Sequence, residues 1–287
     1  MSRRYAVVTP VKNEEKHLEG MIRSVVSQTV PPHRWVIVDD GSTDRTGEII
    51  RQALSSHSFI ACIDLPRNGS PRKHGGEAVI SHGIRALDLA EYGFLARLDG
   101  DISLPLDYFE KIFGEFDRNP RLGIAGGICY VPQNGVLKEE KHPRFHVRGA
   151  LKTYRMECFR DIGGLETELG WDTVDVVRAN MLGWETRSFP EIKVIHHRPT
   201  HAFAGTIQGH AISGIAAYNA GYHPLFLLMR AMRNMIHRPY GIGGLAMLGG
   251  FLSGYLRGLP RIGDPSLIRY LRGQQINRLL GKTTIWT

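Results

Sequence analysis

Short apolar runs alternate with amphipathic stretches through the first part of the chain. The runs at 6–9, 35–38, 59–63 and 94–98 are too short for helices and are bounded by polar, glycine- or proline-containing segments, so they predict strands. Between them, 14–27, 43–54 and 76–90 carry apolar residues at helical spacing, the second opened by a Ser/Thr/Asp cluster suited to capping. This alternation predicts an α/β fold: a Rossmann-like, mostly parallel central sheet flanked by crossover helices. Further along, the pattern predicts a helix at 105–117, a strand at 123–131, a looser stretch at 132–143, a helix at 172–182 and strands at 185–189 and 192–196. Beyond Phe203 the chain reads as wholly helical, broken near 221–224, 239–241 and 263–265.

Length refines this into two parts. With 287 residues, 42% of them hydrophobic, the chain can bury a full core, and the change of pattern divides it into a catalytic-sized domain at 1–202 and a helical C-terminal extension at 203–287. Arg3 and Arg4 lead straight into the first strand, leaving no room for the apolar core of a signal peptide, and no run reaches the ~20 apolar residues of a spanning helix, although Ile242 to Leu256 is an uncharged run of 15. Cys62, Cys129 and Cys158 form no paired spacing, so neither a disulfide framework nor a zinc knuckle is implied. These features predict a cytoplasmic protein.

Charge sets the two parts apart. The net charge is +8, and residues 223–287 hold nine of the 36 bases but only Asp264 among the 28 acids, leaving the preceding residues balanced. Such asymmetry predicts an anionic partner for the extension: the inner face of a membrane, approached peripherally, or a phosphorylated substrate. Packing on the catalytic domain or pairing in a dimer would also account for its apolar helices. Aromatics are sparse there and no nucleic-acid-binding motif is present, which argues against nucleic acid.

The polar groups with chemical capacity cluster where strands end, the place at which open α/β sheets bind ligands. Asp99-Gly100-Asp101 sets two carboxylates around a residue that tolerates a tight turn, a pairing that suits Mg²⁺ or Mn²⁺ and equally describes an ordinary acidic turn. Asp39-Asp40-Gly41-Ser42-Thr43-Asp44 offers a carboxylate to a pyrimidine N–H or a ribose hydroxyl, or else caps a helix. In Thr9-Pro10-Val11-Lys12-Asn13-Glu14-Glu15, Pro10 shapes the strand exit and the acids suit a helix N-terminus, while Thr9 and Asn13 are placed to line a nucleotide.

Together the three segments resemble family 2 glycosyltransferases of the GT-A fold, which carry Pro-x-x-Asn-Glu, Asp-Asp-Gly-Ser-x-Asp and Asp-x-Asp in this order. The resemblance spans roughly residues 5–200 and implies an inverting, divalent-metal-dependent transfer of a sugar from a nucleotide-sugar to a hydroxyl of a glycan or lipid-linked acceptor, in cell-envelope polysaccharide or glycolipid synthesis. It implies a nucleotide-binding set of Thr9, Pro10, Asn13, Glu14, Asp39, Asp40, Asp99 and Gly100, and a metal held by Asp101 and Asp99 with His196 completing the coordination. His197 is the alternative, since alternation along a strand lets only one imidazole of the pair face the site.

Many members carry Glu-Asp where this chain has Trp171-Asp172, the Asp acting as general base; Asp172 takes that position and Asp175, three residues on, is the second choice. Arg198, Arg67, Arg72 and Lys73 are further phosphate-binding candidates. A UDP-sugar is the favoured donor, with dTDP- and GDP-sugars open. A nucleotidyltransferase is the competing enzymatic reading, opposed by the lack of a glycine-rich basic signature after the first strand, and a non-catalytic, membrane-associated nucleotide-sugar-binding protein is the other alternative.

Overall fold

Strand β1 (Tyr5–Val11) divides its side chains between two cores: Tyr5, Val7 and Val11 face one, Ala6 and Val8 the other. A strand buried on both faces must be apolar at nearly every position, which is why it reads as a run rather than an alternation. The computed structural model describes residues 3–66, 77–133, 135–165, 171–198, 206–236 and 240–286. β2 (Arg34–Asp39) and β3 (Ile60–Asp64) extend the sheet in parallel on one side of β1, and β4 (Phe94–Leu98) on the other. Helices α1 (Leu18–Val26), α2 (Thr46–Ser56) and α3 (Glu77–Arg85) lie between these strands in sequence.

Past Leu98 the sheet becomes mixed. The order along the chain is β5 (Ile102–Ser103), α4 (Tyr108–Arg118), β6 (Leu122–Gln133), β7 (Val136–Glu139), β8 (Leu151–Arg155), α5 (Met156–Asp161), α6 (Trp171–Met181) and β9 (Glu185–His196). Across the sheet the order is β3-β2-β1-β4-β8-β6-β9-β5, with β7 alongside β6. β8 runs antiparallel to β4 and β6, β9 parallel to β6, and β5 antiparallel to β9. Residues of α1, α2 and α4 fill one core and residues of α3, α5 and α6 the other.

Some of this differs from the pattern-based expectation. Part of the looser stretch forms β7, whose Val136 and Leu137 are exposed and so carry no burial signal. The two expected C-terminal strands are one, β9, which continues through Pro190. β8 escaped notice because Lys152, Thr153 and Arg155 are polar yet buried, which defeats a hydrophobicity reading.

The C-terminal region is helical as expected: α7 (Thr206–Asn219), α8 (Pro224–Met235), α9 (Ile242–Leu256) and α10 (Pro265–Leu279). A third apolar cluster joins Val174 and Val177 of α6 to Tyr218, Leu227, Phe251 and Leu271, so the inner side of this region packs on the sheet domain. α7 and α9 meet through glycines: a Cβ on Gly250 would lie 2.0 Å from the Ala211 carbonyl oxygen. Among the described residues, no helix is long and apolar enough to cross a membrane.

Candidate active site

The loops after β1 and β2 are tied together by side chains. Asn13 adopts a left-handed backbone (φ 54°), a conformation Asn accepts more readily than most residues. Its Oδ1 accepts the Thr43 N–H at 2.8 Å, while its own N–H donates to Ser42 Oγ at 2.9 Å. Asp39 Oδ1 accepts both the N–H and the hydroxyl of Ser42, at 2.9 and 2.6 Å. Asp40 lies 3.4 Å from Lys12 Nζ. These bonds hold two strand-end loops as one surface, so part of the polar character of both motifs serves their own architecture. Pro10 pairs with Val38 inside the sheet and is half-buried. Thr9 is fully buried, and its hydroxyl accepts the Trp35 indole N–H at 2.9 Å.

Asp99-Gly100-Asp101 follows β4 on the neighbouring strand end. The Asp99 N–H donates to the Ala150 carbonyl at 3.0 Å, and its carboxylate accepts from Arg97 at 3.1 Å while staying partly exposed. Gly100 allows a close approach, since a Cβ there would meet Val11 Cγ1 at 3.0 Å and Glu14 Cγ at 3.3 Å and push both side chains back. Glu14 is thereby packed beneath the motif. Burial, with the fields of Asp101 and Asp99, pushes its carboxyl up to about 7 against the opposing pull of Arg198. One Glu14 oxygen pairs with Arg198, while the other, Oε2, is buried without a hydrogen-bond partner among the described residues.

Asp101 is buried at the junction with β9, where Ile102 pairs with His196 in the sheet. Its Oδ2 accepts from Arg198 Nε at 2.8 Å and its Oδ1 lies 3.5 Å from His196 Nε2. Burial works against its charge, but His196 and Arg198 outweigh it and hold the carboxyl below its ordinary value. The other imidazole nitrogen, Nδ1, is 2.8 Å from Glu140 Oε2, which also pairs with Arg148 at 2.8 Å. Burial disfavours a charged His196, yet Asp101 and Glu140 raise it to about 9. His197 turns the opposite way, stacking on His17 and meeting Ser103 Oγ at 2.8 Å.

The residues present fit a hard divalent cation. Asp101 and His196 converge edge to edge, Glu140 occupies the far side of the imidazole as an orienting partner does at metal sites, and an orphan carboxylate oxygen lies below. Cys129, Glu140 and His196 also bring ligand atoms within 4.8 Å of one another. That second grouping is a poorer cage, because Arg148 holds Glu140 and burial pushes the Cys129 thiol up to about 12.

A second polar cluster explains the start of α6. Arg97 and Lys152 are cross-strand partners on β4 and β8, two cations placed side by side. Such a pair is unfavourable unless anions compensate, and α6 supplies them. Lys152 Nζ donates to both Asp175 oxygens at 2.7 and 2.8 Å and to the Asp172 carbonyl at 2.7 Å; Tyr154 adds a hydroxyl to Asp175 at 2.5 Å. Asp175 is thus buried in an ion pair with both oxygens engaged. Asp172 remains half-buried. Burial opposes its ionisation, but neighbouring His146 and the cations Lys152, Arg97 and Arg148 keep it below the ordinary carboxylate range. Burial pushes His146 down, against the opposing pull of Asp172.

Arg97, Glu140, His146, Arg148 and Lys152 were missed from sequence. Arg97 carried a signal, as a lone cation inside the apolar run Phe94-Leu95-Ala96-Arg97-Leu98; the others lie in segments that the hydrophobic pattern did not resolve. Arg67, Arg72 and Lys73 lie outside the described residues.

The sequence profile described as glycosyl transferase family 2 matches residues 6–165. Poly-beta-1,6-N-acetyl-D-glucosamine synthase of Staphylococcus epidermidis is 30% identical over 205 residues, covering 63% of this chain and 45% of that protein. The glycosyltransferase AglE of Haloferax volcanii is 26% identical over 142 residues, covering 49% and 44% respectively. The chain therefore spans less than half the length of these curated relatives. Among solved structures, the mannosyltransferase PcManGT of Pyrobaculum calidifontis, in complex with GDP-Man and Mn²⁺, superposes with a TM-score of 0.57 at 14% identity, over 98% of this chain and 76% of that one. TarS 1–349 of S. aureus in complex with UDP gives 0.57 at 16% identity, over 97% and 86%. At such identities the likeness is one of fold.

Proposed function

The chain belongs to glycosyltransferase family 2, and from that premise we propose that it transfers a sugar, with inversion, from a nucleoside-diphosphate sugar to the hydroxyl of a glycan or lipid-linked acceptor used in building the cell envelope. The observation that carries this reading is the convergence of Asp101, His196, Arg198 and Glu14 at one strand-end surface, with Asp172 held anionic by buried cations.

In this reading the nucleoside lies on the joined loops after β1 and β2, where Asp39 and Asp40 meet the base and ribose; the favoured base is uracil. A bound Mg²⁺ or Mn²⁺, held by Asp101, Asp99 and His196, would neutralise charge on the diphosphate as it leaves. Arg198 stands beside the same surface and can turn from Asp101 to a phosphate oxygen. On the acceptor side, Asp172 takes the proton of the attacking hydroxyl. A carboxylate kept so acidic is a weak base in water, so its effect depends on alignment with the O–H as the C–O bond forms. Lys152, bonded to the Asp172 carbonyl, fixes the helix turn that presents it. The enzyme works in the cytoplasm, with its basic C-terminal region toward an anionic membrane.

A panel of UDP-, dTDP- and GDP-sugars with Mn²⁺ or Mg²⁺ tests the proposal by release of nucleoside diphosphate. Turnover on one donor that falls by orders of magnitude in Asp101→Asn supports it. Pyrophosphate release would instead assign nucleotidyl transfer, and metal-independent turnover would remove the cation.

A further inference from the structure

Eleven of the eighteen large hydrophobic side chains exposed among the described residues lie between positions 225 and 256, on α8, α9 and their connection. On α8 they are Leu225, Leu228, Met229 and Met232, with Ile236 at its C-terminal cap, and at about 100° per residue they fall within one stripe about 100° wide. A separate stripe, Leu227 and Ala231, is buried. The helix is therefore apolar on two sides, and Arg230 and Arg233, both exposed, separate them. α9 carries no charge along its length. It buries Gly243, Met247, Gly250 and Gly254 against α7 while exposing Ile242, Leu245, Leu252 and Leu256, the last 88% accessible.

Gly244 closes on the Ala231 carbonyl and Met235, and Asn234 reaches Met247 Sδ at 3.7 Å, so α8 and α9 form an antiparallel hairpin. Reckoned from that shared contact, each helix turns its exposed stripe to the same side. The result is one apolar face about 22 Å long, with α7 and the sheet domain behind it and exposed Arg230, Arg233, Arg257 and Arg261 at its margins. Clustered exposed apolar side chains of this kind mark interaction sites on a soluble surface.

We propose that this α8–α9 face seats the protein on an anionic membrane, its leucines and methionines entering the boundary between headgroups and acyl chains while the marginal arginines reach lipid phosphates. It rests on the peripheral placement proposed above and supplies its surface. Charge selects the membrane over a second copy: an isologous contact would bring two regions of nine bases and one acid together, whereas an anionic bilayer complements them. Depth selects interfacial seating over spanning, because no described helix is long enough to cross. Among the described residues, the buried sides of α8 and α9 already pack in the apolar cluster shared with α7 and α10, so the outward side is the one left to dock.

Flotation of the full chain with phosphatidylglycerol-rich and pure phosphatidylcholine vesicles tests this. The chain should float with the anionic vesicles and roughly tenfold less with the neutral ones. Leu245→Glu with Leu252→Glu should abolish flotation, and Arg230→Gln with Arg233→Gln should weaken it about tenfold and remove the preference for anionic lipid. Thermal unfolding and release of nucleoside diphosphate from donor without vesicles should be unchanged in both, which separates failure of the membrane face from failure of the transfer reading. Absence of flotation by the wild-type chain overturns the proposal. So does a stable dimer in solution that the leucine substitutions dissociate.

Discussion

Asp172 and Asp175 stand one helical turn apart on α6 in opposite circumstances: Asp175 gives both oxygens to the buried Lys152 ammonium, while only the backbone carbonyl of Asp172 does so. This separates a structural acid from a candidate base. Asp175→Asn leaves Lys152 without its counter-charge and should cost about 3–5 kcal/mol, lowering Tm by roughly 10 °C. Asp172→Asn should lower Tm less than Asp175→Asn does and cut kcat by roughly 10²–10⁴. Scanning calorimetry beside donor turnover checks the pair, and the reverse pattern would exchange their roles.

Glu140 should act on the cation through His196. Its carboxylate engages Nδ1, which leaves Nε2 directed at Asp101. Glu140→Ala should weaken Mn²⁺ binding about 10- to 100-fold, with Glu140→Gln recovering much of the loss because an amide oxygen still accepts the Nδ1–H. Mn²⁺ titration followed by electron paramagnetic resonance reads this without turnover. Equal affinity in all three proteins would deny Glu140 the role.

Glu14 gives the metal-free protein a pH dependence of known sign. Its folded pKa, raised to about 7 by burial, exceeds that of the unfolded chain, so between about pH 4.5 and 7 the native state binds more protons and stability falls as pH rises. Glu14→Gln should flatten that slope. Urea midpoints measured in EDTA at pH 5 and pH 7.5 should differ less in the variant than in the wild type.

The α7–α9 crossing admits no side chain at Gly250, where a Cβ would come within 2.0 Å of a backbone oxygen. Gly250→Ala should cost about 1–3 kcal/mol, whereas Gly249→Ala, one residue away with open space around it, should be neutral or slightly stabilising. Urea denaturation of the two variants makes the comparison.

The strand ends and their acids were legible because each is a local matter. A parallel strand buried on both faces must be continuously apolar, and the chain must turn polar where it leaves the sheet, so β1, β2 and β4 and the motifs behind them show in one dimension. The helices of the C-terminal region were legible for the same reason. β8 was not, since its lysine and arginine are buried by partners far away in sequence, and β7 was not, since its apolar residues face outward.

By itself, then, the sequence determined the α/β layout, the position of Asp99-Gly100-Asp101 after β4, the placing of Asp172 at a helix start and the concentration of positive charge beyond residue 223. Tertiary structure alone decided that Thr9 serves Trp35, that Lys152 claims Asp175 rather than the side chain of Asp172, that Glu140 stands behind His196, and that the apolar stripes of α8 and α9 share one open face. The physical reason is the same throughout. Burial and periodicity are written into neighbouring residues, whereas the partner of a buried charge and the side on which a helix meets its neighbour depend on register and packing between segments distant in the chain.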